Sequence, residues 1–119
     1  MAMIATVLVA LVALEHALFL IIEMFLWTKP FGRKTFGTTP EFAEASAALA
    51  ANQGLYNGFL AAGLVWALVP TPHAFALKVF FLGCVIVAGL FGAATVKPRI
   101  ALVQALPAAL ALAAVLAAG

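Results

Sequence analysis

Apolar residues run almost unbroken through four stretches of the chain, and short segments rich in proline, glycine and basic residues separate them. A membrane-crossing helix needs about 20 mostly apolar residues, and each stretch is near that length. The first covers about residues 3–27. The segment "TKPFGRKTFGTTP" follows, and its two prolines, two glycines and three basic residues predict a loop. Thr39-Pro40-Glu41 then reads as a helix start: Thr39 can cap, Pro40 suits the first helical position, and Glu41 complements the helix dipole. This second helix is expected to reach Val69, longer than a bilayer requires. Glu41, Glu44 and Ser46 then lie at the water interface, and the spanning part is about 47–69. "PTPH" breaks the chain at residues 70–73, where Thr71-Pro72 repeats the cap-plus-proline start. A third span follows over about 74–96, a "KPR" turn ends it, and a fourth runs over about 100–118. Pro107 should distort that last helix, because it removes an amide donor inside it.

Composition supports the same class. Of 119 residues 67% are hydrophobic and only 8% charged, too little polar surface for a water-soluble domain of this size. The expected architecture is all-α: one integral membrane domain over residues 1–119, built as a four-helix bundle. The net charge of +2 is too small and too confined to short loops to suggest a nucleic-acid surface. Loops one and three share a side and hold Lys29, Arg33, Lys34, Lys97 and Arg99, against Lys78 alone on the other. Basic residues favour the cytoplasmic face, so both termini are expected on the non-cytoplasmic side. Lys78 snorkels to its own interface, and Trp27 and Trp66 sit near span ends as belt aromatics. The first stretch lacks a basic leader region and a cleavage signature, so it reads as a retained span. Cys84 is the single cysteine, which excludes a disulfide within the chain.

The polar exceptions carry the functional signal. Glu15, His16 and Glu23 interrupt "LEHALFLIIEMFLW", where a charge costs on the order of 3 kcal/mol or more. His16 and Glu23, two turns apart, lie within about 20° of each other on a helix, and Glu15 is roughly 80° from Glu23. In the second span, "NQGLYNG" places Asn52, Gln53, Tyr56 and Asn57 over an arc of about 140°. Counted from the cytoplasmic ends, Glu23, Asn52, Gln53 and Gln104 each lie about one turn deep, and His16 and Cys84 about 16 Å deep. These groups predict one polar cluster within the membrane. Glu23, His16 and Tyr56 are the candidate catalytic residues; Glu15, Asn52, Gln53, Asn57 and Gln104 are the candidate ligand-binding residues. Amides alone often serve as hydrogen-bonding glue between helices, whereas buried ionisable groups more often mark function. Cys84 reads as a small core residue. Gly54 and Gly58 form a GxxxG, extended by Ala62, that allows a helix to approach closely, within the monomer or across a dimer.

"LEHALFLIIEMFLW", "TPEFAEASAALAANQGLYNGFLAAGL" and "FFLGCVIVAGLFGAATV" together resemble the small bacterial membrane proteins grouped as domain-of-unknown-function family 1304. The resemblance covers nearly the whole chain, and "NQGLYNGFLA" is its most distinctive part. It implies a compact four-span protein of the bacterial cytoplasmic (inner) membrane and brings no established activity, cofactor or site residue.

Two function classes follow from the residues. In the first, an intramembrane pocket binds a small lipophilic ligand and can transform it, with Glu23 and His16 as acid–base pair and Tyr56 and the amides orienting the ligand's polar end. In the second, a homo-oligomer forms a proton- or ion-coupled pore or carrier with the same residues as a relay. A structural subunit, bound only to membrane lipids, is the plainer third class. Whether the chain is an enzyme, and with what cofactor, stays open. No metal site is expected, because the span holds one histidine and no HExxH spacing. Neither a P-loop, a GxSxG nor a CxxC is present to support nucleotide, hydrolase or thiol–disulfide chemistry.

Overall fold

The computed structural model describes residues 1–119 and is helical throughout, with no strand. Helix α1 runs over Ala2–Ile21 and continues through a π turn at Ile22–Leu26. Helix α2 spans Pro30–Phe36, α3 Pro40–Leu68 and α4 Ala74–Thr95. A second π turn, Ala101–Ala105, leads into α5 at Leu106–Ala118. Three stretches are long and apolar enough to cross a membrane: Ala2–Leu26, Ala74–Thr95 and Ala101–Ala118. Their outer faces carry residues such as Leu14, Leu18, Val87 and Phe91, with Val87 67% and Phe91 70% exposed. Water would not sustain so continuous an apolar surface; lipid does.

Local chemistry explains most of the boundaries. The Phe42 amide donates to Thr39 Oγ1 at 3.1 Å, so Thr39 caps α3 ahead of Pro40. Thr71 behaves differently from its expected role. Its hydroxyl accepts from the His73 amide at 3.2 Å, which closes a turn, and α4 starts only at Ala74 with no side-chain cap. The expected loop between the first two spans contains α2. Pro30 occupies its first turn after an extended Lys29, and Gly37 ends it at φ 68°. The proline and glycine that suggested breakage thus sit at the two positions where a helix accepts them. The distortion expected at Pro107 takes the form of the second π turn, where the Leu106 amide reaches back to Ala101 O. This lengthened turn relieves the clash a proline ring makes with a preceding carbonyl.

Helix α3, 29 residues long, is not among the three most apolar stretches. At about 1.5 Å per residue it exceeds a bilayer's thickness, but Asn52, Gln53, Tyr56 and Asn57 lower the apolar character of its middle.

The chain divides into two compact units. One comprises Met1–Leu14 with Leu60–Gly119, the other Glu15–Phe59. The first unit has a core of small and branched residues from four helical segments, including Val9, Val12, Leu64, Leu82, Val85 and Ala111. Small residues set its spacing. A Cβ on Gly89 would lie 2.7 Å from the Ala105 amide nitrogen, and one on Gly63 would strike the Phe81 ring. In the second unit, α2 folds back on the end of α1 so closely that a Cβ on Gly32 would strike the Leu26 carbonyl.

These spacings predict opposite outcomes for three glycine-to-alanine changes. Gly32→Ala and Gly89→Ala force backbone apart and lower stability by about 1–3 kcal/mol. A Cβ on Gly83 would meet nothing within 4 Å, so Gly83→Ala in mid-helix raises stability by up to about 1 kcal/mol. Unfolding in mixed micelles, followed by circular dichroism, checks all three.

Candidate functional site

The polar residues of the second unit are held by α1 and α3. Glu23 lies in the π turn that ends the first membrane helix, and Asn57 lies in the middle of α3. The Asn57 amide Nδ2 donates to Glu23 Oε1 at 2.6 Å, with both residues buried. A π turn inserts one extra residue and rotates the side chains that follow, a device frequent at functional sites. Here it carries the carboxyl that meets α3. The opposing helix makes room with a glycine. A Cβ on Gly54 would lie 2.7 Å from Met24 Cγ and 3.1 Å from Glu23 Cβ. Gly58 faces Leu20 in the same way, with 2.5 Å to its Cδ1. The GxxxG face is therefore an internal seam between α1 and α3.

About two turns earlier on α1, His16 is fully buried. Its ring packs edge-on against Phe19 with centroids 5.4 Å apart. The carboxyl of Glu15 is nearby, Oε1 standing 3.9 Å from His16 Nδ1, with its side chain 24% exposed. That distance is too long for a hydrogen bond, and Glu15 Oε1 is a buried acceptor with no hydrogen-bond partner in the chain. Glu23 is hydrogen-bonded to Asn57, and the carboxyl beside His16 is Glu15.

The remaining candidates separate. Gly54 faces Met24 and Gly58 faces Leu20, so the antiparallel register puts Asn52 and Gln53 level with the end of the α1 span, near Leu26. Both are exposed, as is Tyr56 at 51%, its ring 6.1 Å from that of Phe59. Tyr56, midway between Gly54 and Gly58, is level with about Ile22 rather than with the end of the stretch, and Asn57 alone of the four turns inward. Gln104 and Cys84 belong to the other unit. Gln104 falls in the second π turn and is half-buried. Cys84 lines an open groove of about 730 Å³ on α4 with Val79, Phe80, Gly83, Val87, Ala88 and Phe91. That groove is apolar along its whole length.

Sequence reasoning passed over Ser46 as a partner for Trp27. The Trp27 Nε1–H donates to Ser46 Oγ at 3.0 Å, and Ser46 Oγ in turn donates to Phe42 O at 2.6 Å. The signal was available, because a partly buried indole N–H needs an acceptor and Ser46 is the hydroxyl in the first turns of α3. No group of three or more His, Cys, Asp or Glu side chains is arranged to hold a metal ion.

Comparison with known proteins adds the family. The model of the family described as protein of unknown function (DUF1304) matches residues 10–116. The chain belongs to this family. The match covers both units, including Glu15, His16, Glu23 and Asn57. Neither a curated protein nor a solved structure matches the chain.

Proposed function

We propose that this DUF1304 protein is a four-span protein of the bacterial cytoplasmic membrane that binds the polar end of a small lipophilic ligand beside Glu15 and His16. The observation that carries the reading is Glu15 Oε1, a buried oxygen without a hydrogen-bond partner next to a buried imidazole. In a medium without water, an unsatisfied oxygen costs roughly 1–3 kcal/mol, and a hydroxyl or amide on a ligand removes that cost. The partial exposure of the Glu15 side chain gives a membrane-dissolved molecule access from the side. His16 and Glu15 then form the pair able to exchange a proton with the ligand's polar group. Glu23, fixed by Asn57, holds α1 and α3 in the register that presents the pair. Asn52 and Gln53 mark the interfacial end of the same unit.

The fourth span in this reading is α3, over residues 47–69, its amides either turned inward or placed at the interface. Five basic residues in loops one and three against one elsewhere support a cytoplasmic position for α2 and non-cytoplasmic termini. A second reading is a proton- or ion-coupled carrier formed by a homo-oligomer. It draws on the same helix, where Glu15, His16 and Glu23 extend over about 12 Å of rise.

Native mass spectrometry of the chain purified from membranes tests the ligand. A co-purified small molecule is expected on the wild type. Glu15→Gln and His16→Phe should each lower its occupancy about tenfold or more, the worth of a hydrogen bond to an ionisable group, while Glu23→Gln keeps it. Full occupancy in both Glu15→Gln and His16→Phe contradicts the site. Proton flux into vesicles that is abolished by Glu23→Gln would instead favour the carrier.

Labelling by an impermeant maleimide in intact cells tests the topology. On a Cys84→Ala background, Thr35→Cys should stay unlabelled and His73→Cys should react. The reverse pattern contradicts the orientation, and identical behaviour of the two positions contradicts a crossing by α3.

A further inference from the structure

The turn at the end of α2 has no part in the ligand reading, yet it concentrates positive charge and unsatisfied polar atoms. Three of the chain's six basic residues, Lys29, Arg33 and Lys34, fall within six positions. No acidic residue occurs between Glu23 and Glu41. Lys29 and Lys34 are exposed, Arg33 is half-buried, and Phe31 between them is 60% exposed.

The position of this segment relative to a bilayer follows from its anchors. Gly32 rests on Leu26 O, the last residue of the first membrane helix. Trp27 packs at a tilt against Phe36, with ring centroids 5.1 Å apart, and its indole N–H donates to Ser46 of α3. Helix α2 is therefore pinned at the depth of Trp27, where an amphipathic indole meets the headgroups. An exposed phenylalanine among lysines at that depth suits the boundary between acyl chains and headgroups.

Two atoms sharpen the picture. Arg33 Nε and Thr38 Oγ1 are both buried, and neither has a hydrogen-bond partner in the chain. They belong to residues joined across the same turn, since the amides of Gly37 and Thr38 both donate to Arg33 O. Buried donors in native proteins are nearly always satisfied, and guanidinium with hydroxyl is a donor set for phosphate. Complementing the C-terminal dipole of α2 asks only for positive charge near the helix end. It leaves a buried guanidinium Nε and a buried hydroxyl unexplained.

We propose that Arg33 and Thr38, with Lys29 and Lys34 beside them and Phe31 inserted below, form a binding site for the phosphate headgroup of an anionic phospholipid. The inference rests on α1 crossing the membrane and is independent of the ligand at Glu15 and His16. The guanidinium and the Thr38 hydroxyl donate to the phosphate oxygens. The lysines supply the field that selects an anionic lipid over a zwitterionic one.

Full-length protein in detergent, titrated with phosphatidylglycerol or with phosphatidylcholine of equal chain length, tests the site by lipid retention in native mass spectrometry. Phosphatidylglycerol is expected to be retained in preference, and inorganic phosphate should not displace it. Lys34→Gln should lower retention about fivefold, the worth of one basic residue at an anionic surface. Arg33→Lys keeps the charge but loses the planar donor fork, so its retention should also fall. Thr38→Val keeps the shape and removes the hydroxyl, and it should weaken retention without changing the helical signal. Equal retention of the two lipids overturns the proposal. Displacement by inorganic phosphate overturns the lipid assignment. Wild-type retention in both Arg33→Lys and Thr38→Val overturns the site and leaves only a diffuse positive surface.

Discussion

A carboxyl group inside an apolar helix has no water to turn to, and this requirement organises the unit formed by residues 15–59. Glu23 finds its hydrogen bond in Asn57. For the two side chains to meet, the backbones of α1 and α3 must come close, and Gly54 and Gly58 supply the missing side-chain volume opposite Glu23 and Leu20. The π turn at Ile22–Leu26 carries Glu23 at the end of an otherwise regular helix. Interhelical hydrogen bonds of this kind contribute only about 0.6–2 kcal/mol each. Their larger effect is on register, because a shift of one residue would strand both groups.

That register sets the rest of the unit. It brings Ser46 within reach of the Trp27 indole, while the local turn after Leu26 sets Gly32 against that residue's carbonyl. The first unit obeys the same absence of water with different means. Its close contacts are made by small residues, Gly89 on Ala105 and Gly63 on the Phe81 ring, and lipid-facing positions are left to large aliphatic and aromatic side chains. Pro107 is accommodated there by the second π turn.

Much of this was legible in the sequence, for physical reasons. Length and hydropathy reveal membrane helices directly, since a bilayer imposes both, and Thr39-Pro40 marks a helix start through local hydrogen bonding. The π turns were not legible, because an inserted residue leaves no periodic trace in a run of Ile, Leu, Phe and Ala. Helix α2 was hidden by the habit of reading Pro30 and Gly37 as breakers, although each sits at a permitted helix boundary. The four polar residues of "NQGLYNG" could be placed on an arc but not assigned to the buried or exposed side. That choice depends on which flank meets α1, and Gly54 with Gly58 decides it by turning Asn57 inward. The pairing of carboxyls likewise needed the three-dimensional structure. Angles on a helical wheel put His16 and Glu23 on one face, but a wheel is silent about Asn57 on the opposite helix.

The central claim is that Glu23 and Asn57 act as one interaction that joins α1 to α3. A double-mutant cycle with Glu23→Leu, Asn57→Leu and the double substitution, read as unfolding free energy in mixed micelles, tests it most directly. Each single change strands a buried polar partner, so each should cost about 1–3 kcal/mol. The double change should cost clearly less than the sum, with a coupling of about 0.6–2 kcal/mol or more. Strict additivity would mean that the two side chains do not meet, and would contradict the packing of α1 on α3 through this pair.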